Sequence, residues 1–91
     1  MVKHYNILVK GKVQGVWYRK STLEKALELG IKGTVENLLD GNVYIKAEGE
    51  DNHLQMFLEW CEEGPEFAKV SDVSFEEAEV LSYNRFEILK F

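Results

Sequence analysis

The apolar residues of this chain recur with two different periods, and the order in which those periods alternate leaves few folds open. Tyr5, Ile7 and Val9 lie two apart within His4-Tyr5-Asn6-Ile7-Leu8-Val9-Lys10, separated by mostly polar residues. That spacing sets one side of an extended segment against a core and the other toward solvent. Leu23, Ala26 and Leu27 then recur at helical spacing, with Gly30 as a stop. Ser21-Thr22-Leu23-Glu24 has the form of a capping box, which predicts a helix start near Ser21 or a few residues earlier. Ile31, Gly33 and Val35 restore the alternation, and beyond Asp40-Gly41 it resumes with Val43, Ile45 and Ala47, a hairpin signal. Leu54, Phe57, Leu58 and Cys61 form a second helical stripe, opened by Asp51 or Asn52 and closed by Gly64-Pro65. Val70, Val73 and Phe75 follow in a strand-like stretch of imperfect rhythm, and Phe86 with Ile88 mark a last short strand.

The order is strand, helix, strand, strand, helix, strand, with a short extra strand at the C-terminal end. This is the α+β, ferredoxin-like βαββαβ plan: an antiparallel sheet carrying two helices on one face. A chain of 91 residues closes one core, so residues 1–91 are read as a single domain. The plan by itself assigns no activity, because it carries RNA binders, metal carriers, regulatory modules and enzymes alike.

Charge and cysteine content narrow the classes. A net charge of -5 opposes nucleic-acid binding, which needs clustered Lys and Arg to displace counterions. No apolar run approaches the length that spans a bilayer. The one cysteine, Cys61, cannot form an internal disulfide, and no charged start with an apolar stretch precedes the first strand. A soluble, cytoplasmic monomer is expected, with no nucleic-acid or membrane partner. A small anionic ligand stays open, since one side chain and a few oriented N–H groups can bind it whatever the net charge.

Such a site is offered by Lys10-Gly11-Lys12-Val13-Gln14-Gly15-Val16-Trp17-Tyr18-Arg19, between the first strand and the first helix. Its two glycines let the chain curl and turn successive N–H groups inward as an anion-binding nest. The loop runs into a helix start, whose free N–H groups and positive dipole end favour an anion as well. Arg19 supplies a planar cation that can hold two phosphoryl oxygens at once. Spacing alone is weak evidence, as two glycines near a helix are more often only a turn, and no Walker ending is present.

The whole string is more specific. Gly11, Val13, Gln14, Gly15, Val16, Tyr18 and Arg19 resemble the acylphosphatase signature, a Gly-x-Val-Gln-Gly-Val loop followed by an aromatic residue and an arginine. The resemblance continues through Leu29-Gly30-Ile31-Lys32-Gly33-Thr34-Val35-Glu36-Asn37, Asp40-Gly41-Asn42-Val43 and Gly64-Pro65 to Tyr83-Asn84-Arg85-Phe86-Glu87-Ile88. It implies a metal-free hydrolase without cofactor that cleaves acyl phosphates, with inorganic phosphate as product and competitive inhibitor. It implies that residues Gly11 to Arg19, namely Gly11, Lys12, Val13, Gln14, Gly15, Val16, Trp17, Tyr18 and Arg19, bind the phosphoryl group. Asn37, at the end of the second strand, would then orient the attacking water. The chain departs from the family's usual pattern at Thr34, Glu36 and Leu39, which bears on substrate preference and rate. By strand parity Asn37 projects with Val35, so it reaches substrate only if it lies past the covered core, and Glu36 points away.

The remaining reactive residues have plainer readings. Cys61 lies on an apolar helical stripe and is read as a core thiol. His4 and His53 are far apart in sequence, without metal-ligand spacing, and are read as surface residues. Glu59, Glu62, Glu63, Glu76, Glu77 and Glu79 are read as solvated faces. Tyr18 is read as packing that stiffens Arg19, whereas Trp17 either packs or forms the rim of a substrate pocket. Three rivals stand beside the enzyme. An RNA-recognition module lacks its aromatic pattern here, and a copper-type carrier lacks its paired cysteines. An acylphosphatase-like domain that handles carbamoyl phosphate, as found in hydrogenase maturation factors, is disfavoured by a 91-residue chain with no attached domain.

Overall fold

The computed structural model describes residues 1–90 and contains β1 (Val2–Lys12), α1 (Tyr18–Leu29), β2 (Lys32–Asn37), β3 (Val43–Glu50), α2 (Asp51–Glu63), β4 (Lys69–Ala78) and β5 (Phe86–Ile88). The five strands form one sheet in the order β4-β1-β3-β2-β5. The odd positions of β1 and β3 are buried: Tyr5, Ile7 and Val9 beside Val43, Ile45 and Ala47. With Val35 of β2 they meet Ala26 and Leu29 of α1 and Leu54, Phe57, Leu58 and Cys61 of α2 in one core. Burial pushes the Cys61 thiol up to about 12, so it is an inert core group at neutral pH. The glutamates from Glu59 to Glu79 named above are exposed.

Four features differ from the sequence reading. The helix α1 begins at Tyr18, at the earlier end of the expected range, but Ser21-Thr22-Leu23-Glu24 lies inside it and does not cap it. The Ser21 N–H already bonds the Trp17 carbonyl at 3.0 Å, and Thr22 Oγ1 donates to the Tyr18 carbonyl at 2.7 Å. The buried stripe consequently runs Tyr18, Thr22, Ala26, Leu29, and Leu27 faces solvent. The sheet is also mixed, because β5 pairs with β2 in parallel. Ala78 ends β4 opposite His4, at the edge of the sheet where β2 begins. Residues 79–85 cross that edge, so the chain must run along β2 in the same direction.

The broken rhythm of β4 has a local cause. Lys10 pairs with Asp72 but Gly11 pairs with Val70, leaving Ser71 as the extra residue of a bulge. Val70 and Val73, three apart, thereby both pack on the core, whereas Phe75 stays half exposed against the Tyr5 ring. Gly11, at φ 129, is required by the bulge, for a Cβ there would overlap the Lys69 carbonyl oxygen and lie 2.7 Å from the Ser71 nitrogen.

His4 is the fourth correction: it is buried, not on the surface. Its even position faces away from the helices, but the crossing tail covers that end of the open sheet face. His4 Nδ1 lies 2.7 Å from Glu48 Oε2, and the N–H groups of Leu81 and Tyr83 donate to the same carboxylate. The Tyr83 ring stacks over His4 at 6.2 Å. His53 is half-buried. Burial alone would raise the Glu48 pKa, but the Leu81 and Tyr83 N–H groups and the His4 ring outweigh it and hold the carboxyl below its usual value.

A group depressed in this way stabilises the fold above its unfolded pKa of about 4.3, and the contribution is lost as pH falls through the folded value. Glu48→Ala is expected to cost about 3 kcal/mol or more at pH 7, since it strands His4 and two backbone donors. Urea unfolding at pH 7 and pH 3 checks this. The difference between variant and wild type should shrink at the lower pH, and an equal difference at both would remove the ionised carboxylate as the cause.

Candidate active site

The loop between β1 and α1, residues Val13 to Trp17, is pinned from beneath by two apolar side chains. Val13 and Val16 are buried in the core, so the backbone between them is held at the surface. Gly15 at φ 74 and Trp17 at φ 67 turn the chain through the left-handed region. That path delivers it into α1 without any side-chain cap. As a consequence, among the described residues, no protein acceptor takes the N–H groups of Gln14 through Lys20. These include the donors that every helix leaves open at its start, and no acidic residue stands in that first turn.

Gln14 fixes the loop to the next part of the site. Its Nε2 donates to the Leu38 carbonyl at 2.7 Å and to the Asn42 carbonyl at 2.8 Å. Those two carbonyls flank the β2–β3 turn, which closes on itself through Leu38 N–H to the Asn42 carbonyl. Asn37, the last residue of β2, directly precedes this turn. The Gln14 side chain therefore sets the spacing between the loop and Asn37 and is not itself presented to a ligand. Sequence reasoning missed this role, and no local signal carries it, because the acceptors are backbone groups 24 and 28 residues away.

Val13, Gly15, Trp17, Arg19 and Asn37 line one cleft of about 290 Å³. Arg19 is half-buried on the first turn of α1 and, among the described residues, forms no ion pair. Among the described residues, Asn37 Oδ1 is buried without a hydrogen-bond partner. A buried acceptor in that state is costly unless a ligand or water completes it. Glu36 does not line the cleft. Of the nine loop positions expected to bind phosphate, Val13, Gly15, Trp17 and Arg19 line the cleft; Gly11 and Lys12 belong to β1, and Gln14, Val16 and Tyr18 lie outside the lining as well. Tyr18 is buried, its hydroxyl donating to the Cys61 carbonyl at 2.8 Å and its ring tilted against Trp60 at 5.4 Å. Desolvation holds that hydroxyl protonated. The residue before Arg19 is thus locked into the core, while Trp17 is exposed at the cleft with Lys20 Nζ 5.6 Å above its ring.

Two clearly larger hollows exist, of about 390 Å³ on the open sheet face and about 590 Å³ beside the crossing tail. Both present carboxylates, Glu76 in the first and Glu48 with Glu50 in the second. Neither has an arginine in its lining, and their carboxylates oppose an anion, so size does not locate the anion site. What the smaller cleft can do is clear from its donors. Its lining offers a forked cation in Arg19, backbone amides at Gly15 and Trp17, and an amide oxygen, Asn37 Oδ1, that can accept a hydrogen bond, a set that suits a tetrahedral oxyanion.

The family model Acylphosphatase matches residues 5–88. An acylphosphatase from Marinobacter nauticus is 54% identical over 76 residues, covering 84% of this chain and 83% of its own. The solved acylphosphatase from Bacillus subtilis superposes with a TM-score of 0.94 at 40% identity, over 99% of this chain and 100% of that one. An acylphosphatase structure from Coxiella burnetii gives a TM-score of 0.94 at 41% identity, over 97% and 93%. Agreement of sequence and backbone over almost the full length means that the chain belongs to the acylphosphatase family.

Proposed function

We propose that this chain hydrolyses acyl phosphates by in-line attack of water, the phosphoryl group held by Arg19 and the loop amides and the water oriented by Asn37. The observation that carries this reading is that Arg19, Asn37 with its unpartnered Oδ1, and Gly15 and Trp17 from a loop whose N–H groups have no acceptor among the described residues all line one cleft. The leaving group is a carboxylate, a weak base, so no strong general acid is needed. In a loose phosphoryl-transfer transition state the charge spreads over the equatorial oxygens, and preorganised donors there stabilise it without reorganising. Asn37 Oδ1 accepts one proton of the water in a hydrogen bond and so holds its oxygen near phosphorus, which needs no shifted pKa.

No bound cation enters this scheme, and a chelator tests that. Phosphate release from acetyl or benzoyl phosphate is expected to persist in excess chelator and to be inhibited competitively by inorganic phosphate. Phosphate monoesters should be poor substrates because an alkoxide leaves badly. Preference for carbamoyl phosphate over acetyl and benzoyl phosphate would move the chain to the carbamoyl-phosphate reading. Phosphate binding without turnover of any of the three would make it a binding domain.

A further inference from the structure

Trp17 stands out for a side chain that the proposed hydrolysis does not use. Its backbone occupies the left-handed region at φ 67, ψ 18, a conformation that disfavours a bulky L-residue and that glycine adopts freely. Its indole is 69% exposed, so the core gives no packing in return for that strain. It also lines the same cleft as Arg19 and Asn37. Strain at a site edge, with no structural compensation, is a reason to look for a ligand contact. The Lys20 ammonium, 5.6 Å from the ring centroid, restrains the indole on one side through a cation–π contact.

The rest of the cleft divides by chemistry. Arg19, the Gly15 backbone and Asn37 take the phosphoryl group and the water, which leaves Val13 and Trp17 as the apolar part of the lining. Val13 is 1% exposed and belongs to the core, so among the described residues that line the cleft the indole is the large apolar surface open to the departing group. Resting on the hydrolytic reading above, we propose that Trp17 is the residue that selects the acyl group, and that the preferred substrates carry a flat, aromatic acyl moiety stacked on its indole. Offset or edge-to-face aromatic contact suits an exposed indole, whereas an acetyl group offers too little area to use it.

The test compares kcat/KM for benzoyl phosphate and acetyl phosphate. Trp17→Gly removes the indole at a position where glycine keeps the same φ, and any loosening of the loop affects both substrates and cancels in their ratio. The benzoyl-to-acetyl ratio is expected to exceed one in the wild type, to fall roughly three- to tenfold in Trp17→Gly, and to be restored in Trp17→Phe. A ratio indifferent to Trp17→Gly, with both substrates turned over, overturns the selection role and leaves the hydrolysis standing. Failure of the wild type to release phosphate from either substrate would instead bring down the hydrolytic reading itself.

Discussion

Arg19→Gln is expected to reduce kcat/KM for benzoyl phosphate by roughly three orders of magnitude or more while leaving the fold intact. The size follows from what the substitution removes. Among the described residues the guanidinium is the only cation lining the cleft, and on the proposed reading it meets the phosphoryl oxygens. Its replacement by a neutral amide forfeits a charge-assisted, two-pronged contact, and the loop amides cannot substitute because they are already engaged by the same oxyanion. Stability should change little, by about 0.5 kcal/mol or less, since among the described residues Arg19 has no ion-pair partner to strand. Arg19→Lys should recover only part of the loss, because an ammonium restores charge but not the fork. Inorganic phosphate is the control ligand: its inhibition constant should rise in both variants, more in Arg19→Gln. Near wild-type turnover in Arg19→Gln, with an unchanged unfolding midpoint, would exclude the guanidinium from the reaction.

How much of this was readable in the sequence depends on the range of each interaction. Tyr5, Ile7 and Val9, or Leu54, Phe57, Leu58 and Cys61, announce themselves because burial repeats with the period of their own element. The loop was legible for a related reason, since Gly15 and the helix entry are neighbours in sequence. Ser21-Thr22-Leu23-Glu24 misled because a capping motif is local, whereas the helix start was fixed by Val13 and Val16 anchoring the loop upstream. His4 misled because its cover arrives from Leu81 and Tyr83, after the chain has passed through every other strand and helix but β5. The parallel β5 and the Gln14 anchor belong to the same class: each depends on groups that only the finished topology brings together. Parity did place Asn37 correctly relative to Val35 and Glu36, but that its oxygen lacks a partner is a fact of packing alone.

That oxygen makes Asn37→Ala the second large expected effect, and one of a different kind. Deleting a buried, unsatisfied acceptor removes a desolvation cost rather than a bond, so the variant should unfold no earlier than the wild type. On the proposed mechanism turnover should nevertheless fall by roughly two to four orders of magnitude, because the attacking water would lose the group that holds it in line with the departing carboxylate. Affinity for inorganic phosphate should stay within a few fold, since the loop amides and Arg19 are untouched. The two variants therefore divide the cleft: Arg19→Gln weakens phosphate and slows turnover together, whereas Asn37→Ala slows turnover alone. Competitive inhibition by phosphate, measured beside single-turnover rates, separates these patterns. If Asn37→Ala abolished phosphate inhibition while retaining turnover, the amide would be part of the oxyanion cradle, and the water would have to be held by some other group.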